Sequence, residues 1–208
     1  MNFAKFLGAL FLIQLLCFEA VNASHIRAGE VIARRTSNLT FEYEFTFIGY
    51  RDTDTGIEFG GGDFDFGDGT VISGDFNVLE TQLTANIVRA EFTLVHTYQA
   101  PNSYIVSYSE ENRNDGIANM ENSLNTPFYT ETLIIIDPFF GVNNTPVLTV
   151  PPIDEGIPGA RFIHNAGAFD IDGDSLAYYL VTPKSGKRTE VVLYKSLNHP
   201  DFYTNFGQ

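Results

Sequence analysis

With 208 residues, 44% of them hydrophobic, the chain is long enough for one large domain or two ordinary ones and can bury a real core. Its formal net charge of −14 argues against nucleic acid and anionic membrane surfaces as partners, and suits divalent cations if the acids cluster. Abundant Phe (19) and Tyr (10), without Trp, fit pleated, half-buried surfaces, and 18 Gly and 9 Pro are spread like turn punctuation, so an all-β fold is expected.

Residues 1–23 read as a secretory signal helix. Lys5 supplies a short positive region, residues 6–18 are apolar apart from Gln14, and Val21-Asn22-Ala23 puts small residues at −3 and −1 of a cleavage point after Ala23. The apolar run is short for a membrane span and no second one follows, so no span beyond the signal segment is expected. Removing the signal takes away Lys5 and Glu19 and leaves the net charge unchanged. The only Cys, Cys17, lies inside this run, and Leu15-Leu16 before it lacks the small residue of a lipoprotein signal. The mature chain then has no Cys, and a secreted sandwich without disulfides needs another staple, for which bound metal is the usual substitute.

Residues 24–138 carry an all-β pattern. Strands are expected at 29–35, at 39–47, where apolar and polar residues alternate most clearly, and at 57–66, with a bulge at Gly60-Gly61-Gly62. Further strands are expected at 86–97, 104–110 and 128–137, the last buried on both faces through Leu133-Ile134-Ile135-Ile136. Residues 111–127 are polar, Asn-rich and aperiodic: a long loop, either a binding element or an ordered one whose Asn side chains close turns. Residues 139–146 read as a linker. A second β unit is expected over 147–208, with strand patterns at 162–164, 175–181 and 191–194. About 60 residues fall short of the roughly 100 of a complete sandwich, so this unit is expected to be partial, in a natural protein that continues.

Two stretches carry the strongest signal. Phe64-Asp65-Phe66-Gly67-Asp68-Gly69-Thr70 alternates aromatic and acidic residues and breaks at Gly-Asp-Gly, a strand running into a tight turn. His96-Thr97-Tyr98 follows, ahead of the alternating run Tyr104-Ile105-Val106-Ser107-Tyr108. Together with Pro101 they resemble the signature of PKD domains, immunoglobulin-like β-sandwiches found mainly outside cells. The departures are Phe64 where such domains usually carry Trp, Asn102 in place of Gly after Pro101, and a longer segment between the motifs. The resemblance implies that Phe64 and Phe66 pack inward, that Asp65 and Asp68 hold the turn by accepting backbone N–H bonds, and that Tyr98 is a corner tyrosine with a buried ring and its hydroxyl on backbone. His96 belongs to the same motif. Asp65 and Asp68 could alternatively pair as catalytic carboxylates, but the turn itself requires their spacing and no second acid pair accompanies them.

Ser24-His25-Ile26-Arg27-Ala28-Gly29-Glu30, with Glu58-Phe59-Gly60-Gly61-Gly62 and Arg161-Phe162-Ile163-His164-Asn165, is similar to the N-terminal region of large PKD-repeat surface proteins of bacteria that glide or secrete adhesins. That resemblance implies adhesion or surface display.

Asp170-Ile171-Asp172-Gly173-Asp174 sets three carboxylates within five residues, a density that suits Ca²⁺. An EF-hand loop fails because its twelfth position is Val181. The region instead resembles a cadherin-like domain, in which a linker Asn, an early Glu and an Asp-x-Asp pair clamp Ca²⁺ between domains. The resemblance assigns those places to Asn143 or Asn144, Glu155, and Asp170 with Asp172; Asp174 completes the cluster. The other reading is an Asp-Gly turn that needs no metal. Asp52 and Asp54 form a weaker pair in a loop, and His25, His96, His164 and His199 show no zinc spacing.

No Gly-x-Ser-x-Gly, His-Glu-x-x-His, phosphate loop or nucleophilic Cys is present, so no enzyme is expected. The expected function is a secreted or cell-surface spacer or adhesion module stiffened by Ca²⁺, with a protein or glycan at the cell surface as partner. The alternative is an accessory binding module, for carbohydrate or protein, of a secreted hydrolase.

Overall fold

The structure, a computed structural model, describes residues 26–53, 59–111, 113–139, 141–154, 163–197 and 199–202. The signal reading at 1–23 and Glu155 lie outside these residues.

Among the described residues, the first eight strands in chain order are β1 (Ile26–Arg35), β2 (Phe41–Asp52), β3 (Asp63–Asp65), β4 (Val71–Ser73), β5 (Leu79–Thr84), β6 (Ile87–Tyr98), β7 (Ser103–Glu110) and β8 (Phe128–Ile135). They form two four-stranded antiparallel sheets, β1-β2-β6-β5 and β4-β3-β7-β8, packed as an immunoglobulin-like sandwich. The period-2 pattern of β2 explains its place. Tyr43, Phe45 and Phe47 point into the core and are at most 1% exposed, while Glu42, Glu44 and Thr46 face outward. From the other sheet Phe64, Val106 and Tyr108 meet them, all fully buried. The rings interlock by edge and offset contacts, with Phe47 and Tyr108 centroids 4.2 Å apart and Phe45 and Phe66 5.5 Å apart. Gly49 of β2 is required by this packing: a Cβ there would sit 2.5 Å from the Phe59 ring.

The outer face of the first sheet is covered at one end. Ile32, Ile48 and Tyr50 form a second buried cluster, against which Val147 and Ile153 pack. The residues read as a linker are therefore fastened to the sandwich. Thr145 donates its N–H to the Ala33 carbonyl (3.0 Å), and its hydroxyl accepts the Ala33 N–H (2.8 Å). The Asn144 side-chain oxygen accepts the Arg35 N–H (2.9 Å), so two residues occupy the free edge of β1.

The second β unit takes a form the strand patterns do not announce. Among the described residues its ladders are two short pairs, β9 (Val147–Leu148) with β10 (Ala168–Phe169), and β11 (Lys184–Gly186) with β12 (Thr189–Glu190). Residues 175–181 and 163–164 carry no ladder, Phe162 lies outside the described residues, and 192–193 form a turn with Leu193 at φ 58°. Alternating apolar sequence makes a strand only when an edge is offered to it, and Tyr178, Tyr179, Leu180 and Val181 remain more than half exposed.

Two further expectations are corrected, and two strands lie outside them. The strand at 57–66 is shorter, because Phe59 to Gly62 bends, with Gly60 at φ 117°, and pairing begins only at Asp63. At the end of β8, Ile134 and the following Ile136 are buried but Leu133 and Ile135 are each 55% exposed, because this strand is covered on one face only. Finally, β4 and β5 are edge strands with no buried residue, and burial periodicity gives them no signal.

Candidate functional site

The two motif stretches meet in space. The Gly67 N–H donates to Asp65 Oδ1 (2.7 Å), Thr70 N–H to Asp68 Oδ1 (3.0 Å), and Phe66 N–H to the Thr70 carbonyl (3.0 Å), closing the turn after β3. Gly67 adopts φ 83° with its Cα against the Ile105 backbone, where a Cβ would stand 2.5 Å from a carbonyl oxygen. Gly69 also takes a positive φ, 99°. Across the sandwich, His96 Nε2 lies 2.7 Å from Asp68 Oδ2, and its ring stacks on Phe66 at 4.3 Å. The buried Tyr98 hydroxyl donates to the Phe66 carbonyl (2.8 Å), and its ring stacks on Tyr104 (4.2 Å). Phe64 and Phe66 point inward, as their alternation predicts.

The electrostatics fit a scaffold. Burial alone would raise the Asp68 carboxyl, but the Thr70 N–H, the His96 ring and the Thr70 hydroxyl outweigh it and hold its pKa below the ordinary 3.8. Burial pushes the Tyr98 hydroxyl far above its usual range, with Asp68 adding to the effect, so it stays a neutral donor. Asp65 spends one oxygen on the turn and turns the other toward Lys187 Nζ (3.3 Å). Both carboxylates are therefore engaged in holding structure.

The acidic cluster is a second constellation. Asp170, 8% exposed, accepts the N–H groups of Asp172 (2.9 Å) and Asp174 (3.1 Å) on Oδ1, which shapes a turn completed by Gly173 at φ 85°. Asp172 accepts both the backbone N–H of Asn144 (2.7 Å) and its side-chain amide (3.0 and 3.1 Å). Asn144 thus joins the β1 edge to the 170–174 turn, a role anticipated for it only through metal. Asn143 lies beside Asp172 and Asp174 on an open cleft that also includes Asp137. Among the described residues no group of three or more His, Cys, Asp or Glu side chains is arranged to hold a metal ion. A cation here would have to draw the carboxylates together in competition with the N–H donors they already accept.

Of the weaker candidates, Asp52 pairs with Arg27 (2.6 Å), while Asp54 and His25 lie outside the described residues. His164 pairs with Asp154, and His199 lies 3.4 Å from Asp201. In the Asn-rich loop, Asn122 at φ 53° accepts the Asn125 side-chain amide (2.6 Å), so these two close a turn; Asn112 is outside the described residues. Sequence reasoning missed Thr145, whose role depends on which strand edge it meets, and Glu110. The Glu110 carboxylate accepts the Tyr108 hydroxyl and anchors the glycine bend at Gly61.

Fold and motif geometry together define a β-sandwich module in which Asp65, Asp68, Tyr98 and Asp170 hydrogen-bond the protein's own backbone. Residues 29–137, just over half of the chain, match the family described as Integrin beta-like protein A-E, N-terminal, and the chain belongs to that family. No curated protein and no solved structure matches it. The family points to an extracellular or surface module and is not known as enzymatic. Among the described residues no helix is long and apolar enough to cross a membrane.

Proposed function

We propose that this chain is a non-catalytic module of a larger surface protein, serving as a spacer and adhesion region that presents a rigid β-sandwich to a protein or glycan at the cell surface. What supports this reading is the way residues 143–154 and 163–195 are clamped to the sandwich. Thr145 and Asn144 hold the β1 edge, Glu30 accepts the Leu148 N–H (3.2 Å), Lys184 pairs with Glu131, and Lys195 N–H reaches the Asn119 carbonyl (2.9 Å). A junction fixed at separated points transmits orientation and force, as a spacer must, because a free linker would dissipate both. Within this reading the sandwich is PKD-like, on the strength of the turn after β3 and the corner tyrosine Tyr98.

Calcium is a further part of the proposal. Asp137, Asp172 and Asp174 face one cleft beside Asn143, and a cation bound there would stiffen the junction. Calorimetric titration with CaCl₂ tests it: heat accompanied by a raised melting temperature supports the cation. A flat trace would leave the Asn144–Asp172 hydrogen bonds as what closes the junction.

A second reading, an accessory binding module of a secreted hydrolase, draws on a polar cleft of about 540 Å³ on the outer face of the second sheet. Beads coated with the chain and passed over cell surfaces under flow test the adhesion reading. Retention above that of beads carrying an unrelated sandwich is the expected result; retention equal to that control would contradict it.

A further inference from the structure

Strand register builds a polar surface across the outside of the second sheet. Val71, Asp65, Ser107 and Glu131 stand opposite one another in one transverse row, and Ser73, Asp63, Ser109 and Tyr129 in the next. Their neighbours Phe64 and Tyr108 point the other way, into the core. The two rows are tied together: the Tyr129 hydroxyl donates to Glu131 Oε2 (2.7 Å), and Glu131 in turn receives Lys184. This fixes the Tyr129 ring, and burial raises its hydroxyl to a pKa of about 12, so it remains a neutral donor and acceptor.

The β11–β12 hairpin stands over these rows and turns an open sheet face into a cleft of about 540 Å³. It is held there by Lys184 on Glu131, by Lys187 on Asp65, and by Arg113, whose guanidinium donates to the Lys184 carbonyl (3.1 Å). Carboxylate acceptors (Asp63, Asp65), hydroxyls (Ser109, Tyr129) and an ammonium donor (Lys187) line it together, with Val71 and Pro127 as apolar floor. Among the described residues, the Asp63 and Ser109 side chains have no hydrogen-bond or ion-pair partner, whereas Asp65 and Lys187 face each other at 3.3 Å.

We propose that this cleft binds a neutral oligosaccharide, with Asp63 and Lys187 reading its hydroxyls and the Tyr129 ring and Val71 meeting its C–H faces. Vicinal hydroxyls ask for acceptors and donors side by side over a small apolar surface, which is what the two rows and the hairpin supply. The excess of carboxylates over ammonium in the cleft selects against sialylated or sulfated glycans. This inference rests on the adhesion reading and names the ligand class for it, but it is separable from it: beads could adhere through another surface.

The test is titration of the full chain with neutral hexasaccharides of glucose and of mannose, alongside a sialylated oligosaccharide. Binding of a neutral glycan with Kd of about 0.1–1 mM is expected, with none for the acidic one. Asp63→Ala should weaken it about tenfold at an unchanged melting temperature, since its side chain stays outside the core, and Lys187→Ala, which also releases the Asp65 contact of the hairpin, should weaken it at least as much. Ser109→Phe, which fills the cleft from an outward position, should abolish it. The proposal is overturned if no neutral glycan binds, if the acidic one binds equally, or if the three variants bind like the parent. Adhesion of coated beads together with any of those results would sink the cleft and leave the surface-module reading standing.

Discussion

His96 Nε2 and Asp68 Oδ2 lie 2.7 Å apart and join the two sheets of the sandwich, one residue from β6 and the other from the turn after β3. The pair is only partly exposed, and His96 also stacks on Phe66 beneath it. A double-mutant cycle with Asp68→Ala and His96→Ala in urea denaturation should return a coupling of about 1 kcal/mol. Additive single effects would mean that the two side chains are neighbours without a productive bond.

Tyr98 holds the same corner from the inside, donating its hydroxyl to the Phe66 carbonyl at 2.8 Å with the residue 2% exposed. Tyr98→Phe keeps the ring and orphans the carbonyl, so it should cost about 1–3 kcal/mol by chemical denaturation. A change within a few tenths of a kcal/mol would show that Phe66 finds another donor.

Residues and fold were legible to different degrees for physical reasons. Tyr43, Phe45, Phe47, Phe64 and Tyr98 were readable because one face of each strand is buried and the period of two survives in the sequence. The turn roles of Asp65 and Asp68 were readable because they are local, each accepting an N–H two residues on. Thr145 on Ala33, Asn144 on Asp172 and Lys187 on Asp65 were not, because those contacts span 112, 28 and 122 residues and depend on which edges remain open. The segment 175–181 shows the opposite failure: strand-like residues with no edge to pair with.

The clasp at the β1 edge predicts a specific exchange pattern. Ala33 N–H is held by the buried Thr145 hydroxyl and Arg35 N–H by the Asn144 side chain. In Thr145→Val, amide hydrogen exchange at Ala33 should accelerate, while Phe45 and Phe47 in the neighbouring strand keep their protection. Equal protection at Ala33 in parent and variant would show that the edge is covered independently of Thr145.

Acidity should act on stability in two opposing ways. Burial pushes the Glu110 carboxyl above its ordinary 4.5, against the Tyr108 hydroxyl and the Gly60 and Gly61 N–H groups, and burial does the same to Glu30 against Leu148 and Arg89. Their contribution is full below 4.5 and is lost as pH rises through their higher folded values. Asp68, held below 3.8, contributes above that value and loses its contribution as pH falls through its lower folded value. Glu110→Gln, which cannot titrate, should flatten the decline of stability as pH rises above 4.5 and leave the loss below 3.8 in place. An unchanged profile would remove Glu110 from the account.

The central claim is that the Gly67–Thr70 turn and the His96–Tyr98 stretch are scaffold, with recognition carried elsewhere on the surface. Asp68→Ala tests it most directly when thermal stability and bead adhesion are measured on the same preparation. The account predicts a lower melting temperature in a transition that remains cooperative, with adhesion unchanged well below that temperature. An unchanged melting temperature with adhesion lost would contradict it and place Asp68 in the recognition site.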